Sequence, residues 1–317
     1  MTNPAPGIYT VTLPIPFELE SVNVHLVELD EGFLLVDSGL ETAECFDALE
    51  SGLAERGVKW REIRILLLTH LHPDHIGLSW KILELSGAEL WMHRVEAEHL
   101  AEVARENRSP FFAQAMRRAG VPAAVEARID RDVKNGRGRF REHHPHRMLE
   151  GGERMAVRSG ALEAVWTPGH SPGHVCLYSP EHRYMISGDH ILELITPNIS
   201  WHPGEDMLAR YLDSLARLNP YEVDWVLPSH GPPFREHQER IRSIMDHHAE
   251  RCGVILSHTA RESMTAYQLV EAMWHRLAPF HQHFAVLEIL AHLEHLERRG
   301  QVSGEEREEG ALYWSAQ

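Results

Sequence analysis

Residues 66–77 read LLLTHLHPDHIG and hold three histidines and an aspartate within six positions. Residues 63–70, IRILLLTH, are mostly apolar, which predicts a buried β-strand that ends at the polar cluster. On such a strand His70 and His72 lie two positions apart, so we expect both side chains to point to the same side. Pro73 ends the strand, and the residues after it would turn back across the strand end.

Asp74 and His75 follow that turn, so the short segment offers two ligands on each side of it. Histidine is the commonest metal ligand, and a carboxylate beside it is a frequent companion. One segment could therefore serve two adjacent metal ions, His70 and His72 on one and Asp74 and His75 on the other.

Metal ions need more ligands than two, and the chain offers three further candidates in polar turns after predicted strands. They are His170 within TPGHSPGH (167–174), Asp189 within SGDH (187–190) and His230 within PSHG (228–231). Imidazole and carboxylate ligands suit Zn²⁺, with Fe or Mn as alternatives. A carboxylate has two oxygens, so Asp189 could bridge two ions.

The composition limits the classes of protein to consider. The chain has 317 residues, 43% of them hydrophobic, enough for one large domain with an appendage. Its formal net charge of −16 argues against nucleic acid or an anionic membrane as a general partner, because both are negative. Its three cysteines are widely separated and indicate no disulfide framework. The start, MTNPAPGIYTV, lacks a signal-peptide pattern, and we expect a soluble cytoplasmic protein with no membrane partner.

The N-terminal part, residues 1–235, alternates predicted strands and helices. Residues 8–37 predict an antiparallel meander, and the strand pattern returns at 154–188 and before His230. Residues 95–150 interrupt this rhythm with predicted helices at 95–106 and 110–119 and an Arg-rich stretch at 128–147, which we interpret as irregular. Such an insertion is either a cap over the site or a structural addition without contact to substrate.

Residues 236–317 form a second predicted unit. A long helix at 236–257 precedes two shorter amphipathic helices and a short hairpin that ends in ALYWSA. This order of elements is typical of a winged-helix domain.

The segments THLHPDHIG, TPGHSPGH, SGDH and PSHG together resemble the signature motifs of the metallo-β-lactamase-fold hydrolases, and VDSG at 36–39 resembles that family's first motif. The resemblance covers residues 8 to about 235 and implies an α/β fold of four layers, an αβ/βα sandwich, with a dinuclear metal site along one edge. It also implies two ligand sets and one bridging residue: His70, His72 and His170 on one metal, Asp74, His75 and His230 on the other, and Asp189 on both. Asp37 would hydrogen-bond one of the ligands. The C-terminal unit resembles the winged-helix domain of the LACTB-two-type members.

This resemblance implies a hydrolase that uses two Zn²⁺ ions per chain. A hydroxide bridging the ions would attack a carbonyl or phosphoryl centre, and Asp74 or Asp189 could accept a proton. Diiron oxygen-reducing members usually carry a Glu where this chain has His72, which favours hydrolysis.

Two kinds of substrate remain open. One is a small molecule with an ester, thioester or lactone bond, and the other is single-stranded RNA cleaved by an endoribonuclease. The region from 255 to the C-terminus has five Arg, no Lys and nine Glu, which is a poor surface for phosphate groups. We therefore expect the C-terminal unit to cover the pocket or to form a homodimer, and a winged-helix regulator is a third hypothesis.

Other histidines have alternative interpretations. His174 could replace His170 as a ligand but is expected to be structural, and so is His190. The HHPH run at 143–146 is interpreted as a solvated loop rather than a third metal site. The last group, interpreted as surface and interdomain packing, consists of His283, His292 and His295.

Overall fold

The computed structural model describes residues 5–106, 111–136, 140–274, 277–307 and 310–317. Two β-sheets face each other through a shared apolar layer, with helices on both outer faces. The first sheet has six strands in the order β1 to β6: Ile8–Pro14, Ser21–Glu28, Phe33–Val36, Ile63–Leu67, Glu89–His93 and Arg147–Leu149. The second sheet has the order β11-β10-β9-β8-β7, and its strands β7 to β11 are Arg154–Val157, Gly160–Trp166, Val175–Ser179, Tyr184–Gly188 and Trp225–Pro228.

The meander predicted at 8–37 is confirmed, since β1, β2 and β3 pair antiparallel in sequence order. The later strands β4 and β5 join in parallel, as their apolar character favours, because both faces of such strands are covered. The layer between the two sheets contains fully buried side chains of both, among them Leu34, Leu67, Leu177 and Ile186.

The helices are, from α1 to α10, Ala43–Ala54, Pro73–Ile76, Ser79–Ser86, Arg94–Glu106, Phe112–Arg118, Ala123–Gly136, Met207–Leu218, His237–Thr259, Ala266–Met273 and Pro279–Arg298. Side-chain caps start several of them: Thr42 accepts a hydrogen bond from the N–H of Cys45, and Asp206 accepts one from the N–H of Ala209. Apolar side chains of α1, α3 and α4 pack on the first sheet, and those of α7 pack on the second.

The insertion at 95–150 is more regular than its composition suggested. Residues 128–136, which we interpreted as irregular, belong to α6, so that interpretation is wrong for this part. The Arg-rich composition misled because Arg is a good helix former, and a polar helix needs only one apolar stripe. Residues 137–139 lie outside the described residues, and Arg147–Leu149 returns to the first sheet beside β5.

The C-terminal unit has the predicted order of three helices and a hairpin, which is formed by β12 (Val302–Glu306) and β13 (Leu312–Ala316). Apolar side chains of α8, α9 and α10 share one continuous core with α5, α7 and the second sheet. The boundary at 235 and the winged-helix assignment stay predictions. Within the described ranges, no helix combines the length and the apolar character needed to cross a bilayer.

Candidate metal centre

The histidine segment leaves the sheet earlier than predicted. Strand β4 ends at Leu67, so the expectation that His70 and His72 alternate along a strand end is wrong. The N–H of Leu68 still bonds the carbonyl of Trp91 in β5, but the N–H of Thr69 bonds the Asp37 carboxylate at 2.8 Å. At Thr69 the hydrogen-bond acceptor is therefore a side chain and not the neighbouring strand β5. The chain can thus leave the sheet here and turn toward the other histidines.

The structure brings together the first predicted ligand group, which consists of His70, His72, His170 and Asp189. His72 Nδ1 lies 2.9 Å from His70 Nε2 and 3.0 Å from His170 Nε2, although 98 positions separate His72 from His170. His170 sits in the turn between β8 and β9, and Asp189 directly follows β10. Ends of strands in both sheets therefore contribute to one site.

In the first group, ring nitrogens face one another with too few protons to pair all of them. The Nδ1–H of His170 donates to the carbonyl of Asn198 at 2.8 Å, so the neutral ring points the bare Nε2 at His72. A single proton on His72 Nδ1 could satisfy only one of the two nitrogens that face it. A divalent cation among the three rings would engage all of them, and the donor set therefore fits a metal ion.

The second predicted group lies beside the first and contains Asp74, His75 and His230. His230 Nε2 lies 3.2 Å from Asp74 Oδ2, and His75 Nε2 lies 3.8 Å from the same oxygen. Hydrogen bonds at Nδ1 orient both rings: His230 donates to the carbonyl of Ser21 at 2.8 Å, and His75 donates to Asp37. The Nε2 atoms of both rings therefore face the space beside Asp74.

Asp189 spans the two groups. Its Oδ2 lies 3.6 Å from His170 Nε2, while its Oδ1 lies 3.5 Å from His75 Nε2 and 3.6 Å from His230 Nε2. One carboxylate thus presents one oxygen to each group, which is the arrangement expected of a bridging ligand. The role of all seven side chains as ligands stays a prediction.

Burial and charge set the protonation of these groups. Burial lowers the pKa of His70, His72 and His170, so these rings are neutral, which is the form that binds metal. For His230, burial lowers the pKa but the carboxylates of Asp189 and Asp74 raise it to about 9. Burial raises the pKa of Asp74, yet His75 and His230 bring it down to about 2. The second group thus stabilises positive charge, whether a proton or a cation.

Asp37 has the supporting place expected of it. Its Oδ2 accepts from His75 Nδ1 at 2.9 Å, and its carboxylate also accepts from the backbone and hydroxyl of Thr69. The Thr69 hydroxyl lies 3.0 Å from His70 Nδ1. The orientation of one ring in each group therefore depends on this buried carboxylate.

Sequence reasoning missed Glu96, a fully buried carboxylate on α4. It accepts 2.8 Å hydrogen bonds from the N–H groups of Leu71 and Gly173, and a short one from the Ser171 hydroxyl. It therefore joins the loop of His70 and His72 to the turn of His170. A glutamate in a polar helix gives no sequence signal for this role.

Other histidines are explained by packing. His174 Nδ1 bonds the Thr167 hydroxyl, and its Nε2 accepts from the N–H of Asp189 at 3.2 Å, so it orients the bridging residue. His190 is buried between the rings of Tyr211 and His174. In the HHPH run, His143 bonds the Ser79 hydroxyl and His146 accepts from the N–H of Leu90, as expected of a loop.

His283 and His292 are buried, so for them the expected packing is confirmed and the expected surface position is wrong; His283 stacks on Phe112 and His292 contacts His248. His292, His248 and Glu288 form a third buried group of metal-ligand types. In it, however, the rings hydrogen-bond each other at 3.1 Å, and Arg251 already neutralises the Glu288 carboxylate. These contacts account for the group without a cation.

A cavity of about 540 Å³ opens directly onto the site. Five predicted ligands line one end of it, namely His72, Asp74, His170, Asp189 and His230. The remaining wall is mostly apolar and comes mainly from four parts of the chain: the loop after β1, the insertion, the loop after β10 and helix α10. Examples are Val103, Ala115, Leu192, Trp201 and Leu287.

The sequence matches family models that agree with the geometry of the site. The sequence model described as "Metallo-beta-lactamase superfamily" matches residues 18–231, and one described as "Metallo-beta-lactamase-like, C-terminal domain" matches residues 252–317. The chain belongs to the metallo-beta-lactamase superfamily and has the mixed α/β fold of that family.

Individual relatives support a hydrolase. A probable metallo-hydrolase of Bacillus subtilis (strain 168) is 26% identical, with 92% of each chain covered. An acyl-coenzyme A thioesterase of Gallus gallus is 26% identical over 73% of this chain and 79% of its own. The crystal structure of a metallo-beta-lactamase family protein from Thermus thermophilus has a TM-score of 0.86 at 29% identity, with 99% of each chain covered. The chain is a metallohydrolase of this superfamily.

Proposed function

We propose that the protein uses two divalent metal ions, Zn²⁺ first among them, to hydrolyse an ester or thioester that carries a large apolar acyl group. The observation that carries this proposal is the cavity of about 540 Å³, one end of which is formed by the predicted ligands. A scissile carbonyl near Asp74 and Asp189 would leave the rest of an acyl group in contact with the apolar wall.

The charges of the residues that line the cavity favour an uncharged acyl group over RNA as the bound molecule. Among its described lining residues there is no Lys or Arg, while Glu18 and the two site aspartates are acidic. A phosphodiester chain would meet carboxylates and apolar side chains instead of the cations that bind phosphate groups. The thioesterase relative points in the same direction.

The residues have distinct tasks in this reaction. Bound at the two groups, the metal ions would activate a water molecule and polarise the carbonyl oxygen. The two oxygens of Asp189 would fix the spacing of the groups. Asp74 is partly open to the cavity, so it could accept the proton that the attacking water loses and return it to the leaving alkoxide or thiolate. The apolar wall would bind the acyl chain and exclude water from it.

A substrate panel tests this proposal. Zinc-loaded protein would be assayed with acyl thioesters and p-nitrophenyl esters of increasing chain length, with lactones, with nitrocefin and with single-stranded RNA. We expect kcat/KM for the esters or thioesters to rise with chain length until the cavity is filled. RNA cleavage abolished in His72→Ala, without ester or thioester turnover, would replace this proposal with the endoribonuclease.

A further inference from the structure

Helix α10 of the C-terminal unit reaches the metal centre through a short chain of hydrogen bonds. Glu288 on this helix accepts a hydrogen bond from Asn198 Nδ2 at 3.0 Å. The carbonyl of Asn198 accepts the Nδ1–H of His170 at 2.8 Å. Only one residue therefore stands between the carboxylate of Glu288 and a predicted ligand.

Asn198 needs such support because it belongs to a segment without regular structure. Residues 189–206 connect β10 to α7 and contain no helix or strand. Besides Glu288, the side chain of Asn198 donates to the carbonyl of Phe284, also on α10, at 3.1 Å. Both acceptors of its amide group therefore lie on the C-terminal helix, and they fix the position of the Asn198 backbone.

Glu288 is itself held in place. Its side chain is buried, and its other oxygen accepts a hydrogen bond from Arg251 on α8. Arg251 in turn lies over the ring of Trp274, 5.1 Å from its centroid. The carboxylate thus has partners on two elements and little freedom to move, as a residue that orients another one requires.

We propose that Glu288 is a positioning residue for the metal centre, acting through Asn198 to hold the His170 ring with Nε2 directed at the first metal group. The C-terminal unit then has a role inside the site in addition to covering the cavity. This inference rests on the proposed ligand role of His170. Its consequence is specific, because Glu288 should affect one of the two ions more than the other.

The test compares metal retention in matched variants. Zinc-loaded wild type, Glu288→Ala, Glu288→Gln and His295→Gln would be dialysed against graded chelator, and zinc per chain measured by elemental analysis. His295 is the control. It also lies on α10 and forms a 3.0 Å hydrogen bond to a residue outside the C-terminal unit, Asp206 at the start of α7, but it does not contact Asn198. Circular dichroism would show that each variant is folded.

We expect Glu288→Ala to weaken retention of one ion by roughly tenfold or more, the range found when residues behind metal ligands are replaced. Glu288→Gln should lie between this variant and the wild type, because its amide oxygen can still accept from Asn198. His295→Gln should retain both ions like the wild type. In cobalt-substituted protein, the visible absorption of Glu288→Ala should differ from that of the wild type at equal metal content.

Retention of both ions by folded Glu288→Ala at wild-type affinity would overturn the inference and leave the proposed function intact. If Glu288→Ala does not fold, Asn198→Asp replaces it, since that change sets two carboxylates against each other and should cause the same loss. Wild-type protein that binds no metal would overturn both proposals. Two bound ions without ester or thioester turnover would overturn only the proposed function.

Discussion

The Nδ1–H of His75 donates a 2.9 Å hydrogen bond to Oδ2 of Asp37, which lies at the end of β3 with a left-handed backbone (φ 63°). Both side chains are buried. The contact fixes the His75 tautomer, so that its Nε2 faces Asp74 and Asp189. The orientation of His75 in the second metal group therefore depends on the residue that follows β3.

Replacing Asp37 by Ala should weaken metal binding. His75 would lose its orienting acceptor, and we expect roughly a 10- to 100-fold loss of affinity for the second ion. Chelator competition followed by elemental analysis measures this loss, with Asp213→Ala on an exposed face of α7 as the control. Equal affinities in the two variants would show that the hydrogen bond does not matter for binding.

Replacing Glu96 by Ala should lower stability as well as metal binding. The change leaves the N–H groups of Leu71 and Gly173 without their buried acceptor, and we expect the free energy of unfolding to fall by roughly 2–4 kcal/mol. Urea denaturation measures it, with exposed Glu98→Ala on the same helix as the control. A difference between the two variants below about 0.5 kcal/mol would contradict this account.

Filling the cavity should shorten the preferred acyl chain. Ala115 on α5 lines the cavity and is buried, so Ala115→Phe would occupy space intended for substrate. We expect kcat/KM to fall at least tenfold for long acyl chains and to change little for acetyl esters. Gln114→Phe, at the exposed neighbouring position, is the control. An equal loss for all chain lengths would mean that the acyl group lies elsewhere.

Stability should decrease below about pH 6.5. Burial lowers the pKa of His25 to about 4, so the unfolded chain binds a proton there that the folded protein does not bind. Its contribution is therefore fully present above the unfolded pKa and falls as the pH drops toward 4. Between pH 7.5 and 5.5 the loss is about 1.4 kcal/mol for this residue.

The variant His25→Gln should have a shallower pH dependence than the wild type when urea denaturation is measured at pH 7.5 and 5.5. His144→Gln, at an exposed position, is the control for the substitution itself. Identical slopes for His25→Gln and wild type would show that folding does not lower the pKa of His25.

The sequence predicted the parts of the site that local pattern controls. His170, Asp189 and His230 were placed at strand ends because Gly and Pro turns follow apolar runs there, and the structure brings them to one edge. Gly188 in the SGDH segment has φ 53°, and a Cβ on it would lie 2.4 Å from His174 Nε2, so the motif needs glycine for two reasons.

Contacts between distant segments could not be predicted from the sequence. Glu96 and Glu288 lie on helices whose patterns indicate only an apolar stripe and a polar face. Their partners are backbone groups and a loop asparagine far along the chain, which no spacing rule connects. The early end of β4 was missed for the same reason, because the partner that replaces the neighbouring strand at Thr69 is the side chain of Asp37.

The central claim is that Asp189 joins two metal ions, and counting metal ions tests it most directly. Elemental analysis of purified, zinc-loaded protein should give two ions per chain for the wild type and close to none for Asp189→Ala, while Asp213→Ala keeps two. Full metal content and full activity in folded Asp189→Ala would contradict the account.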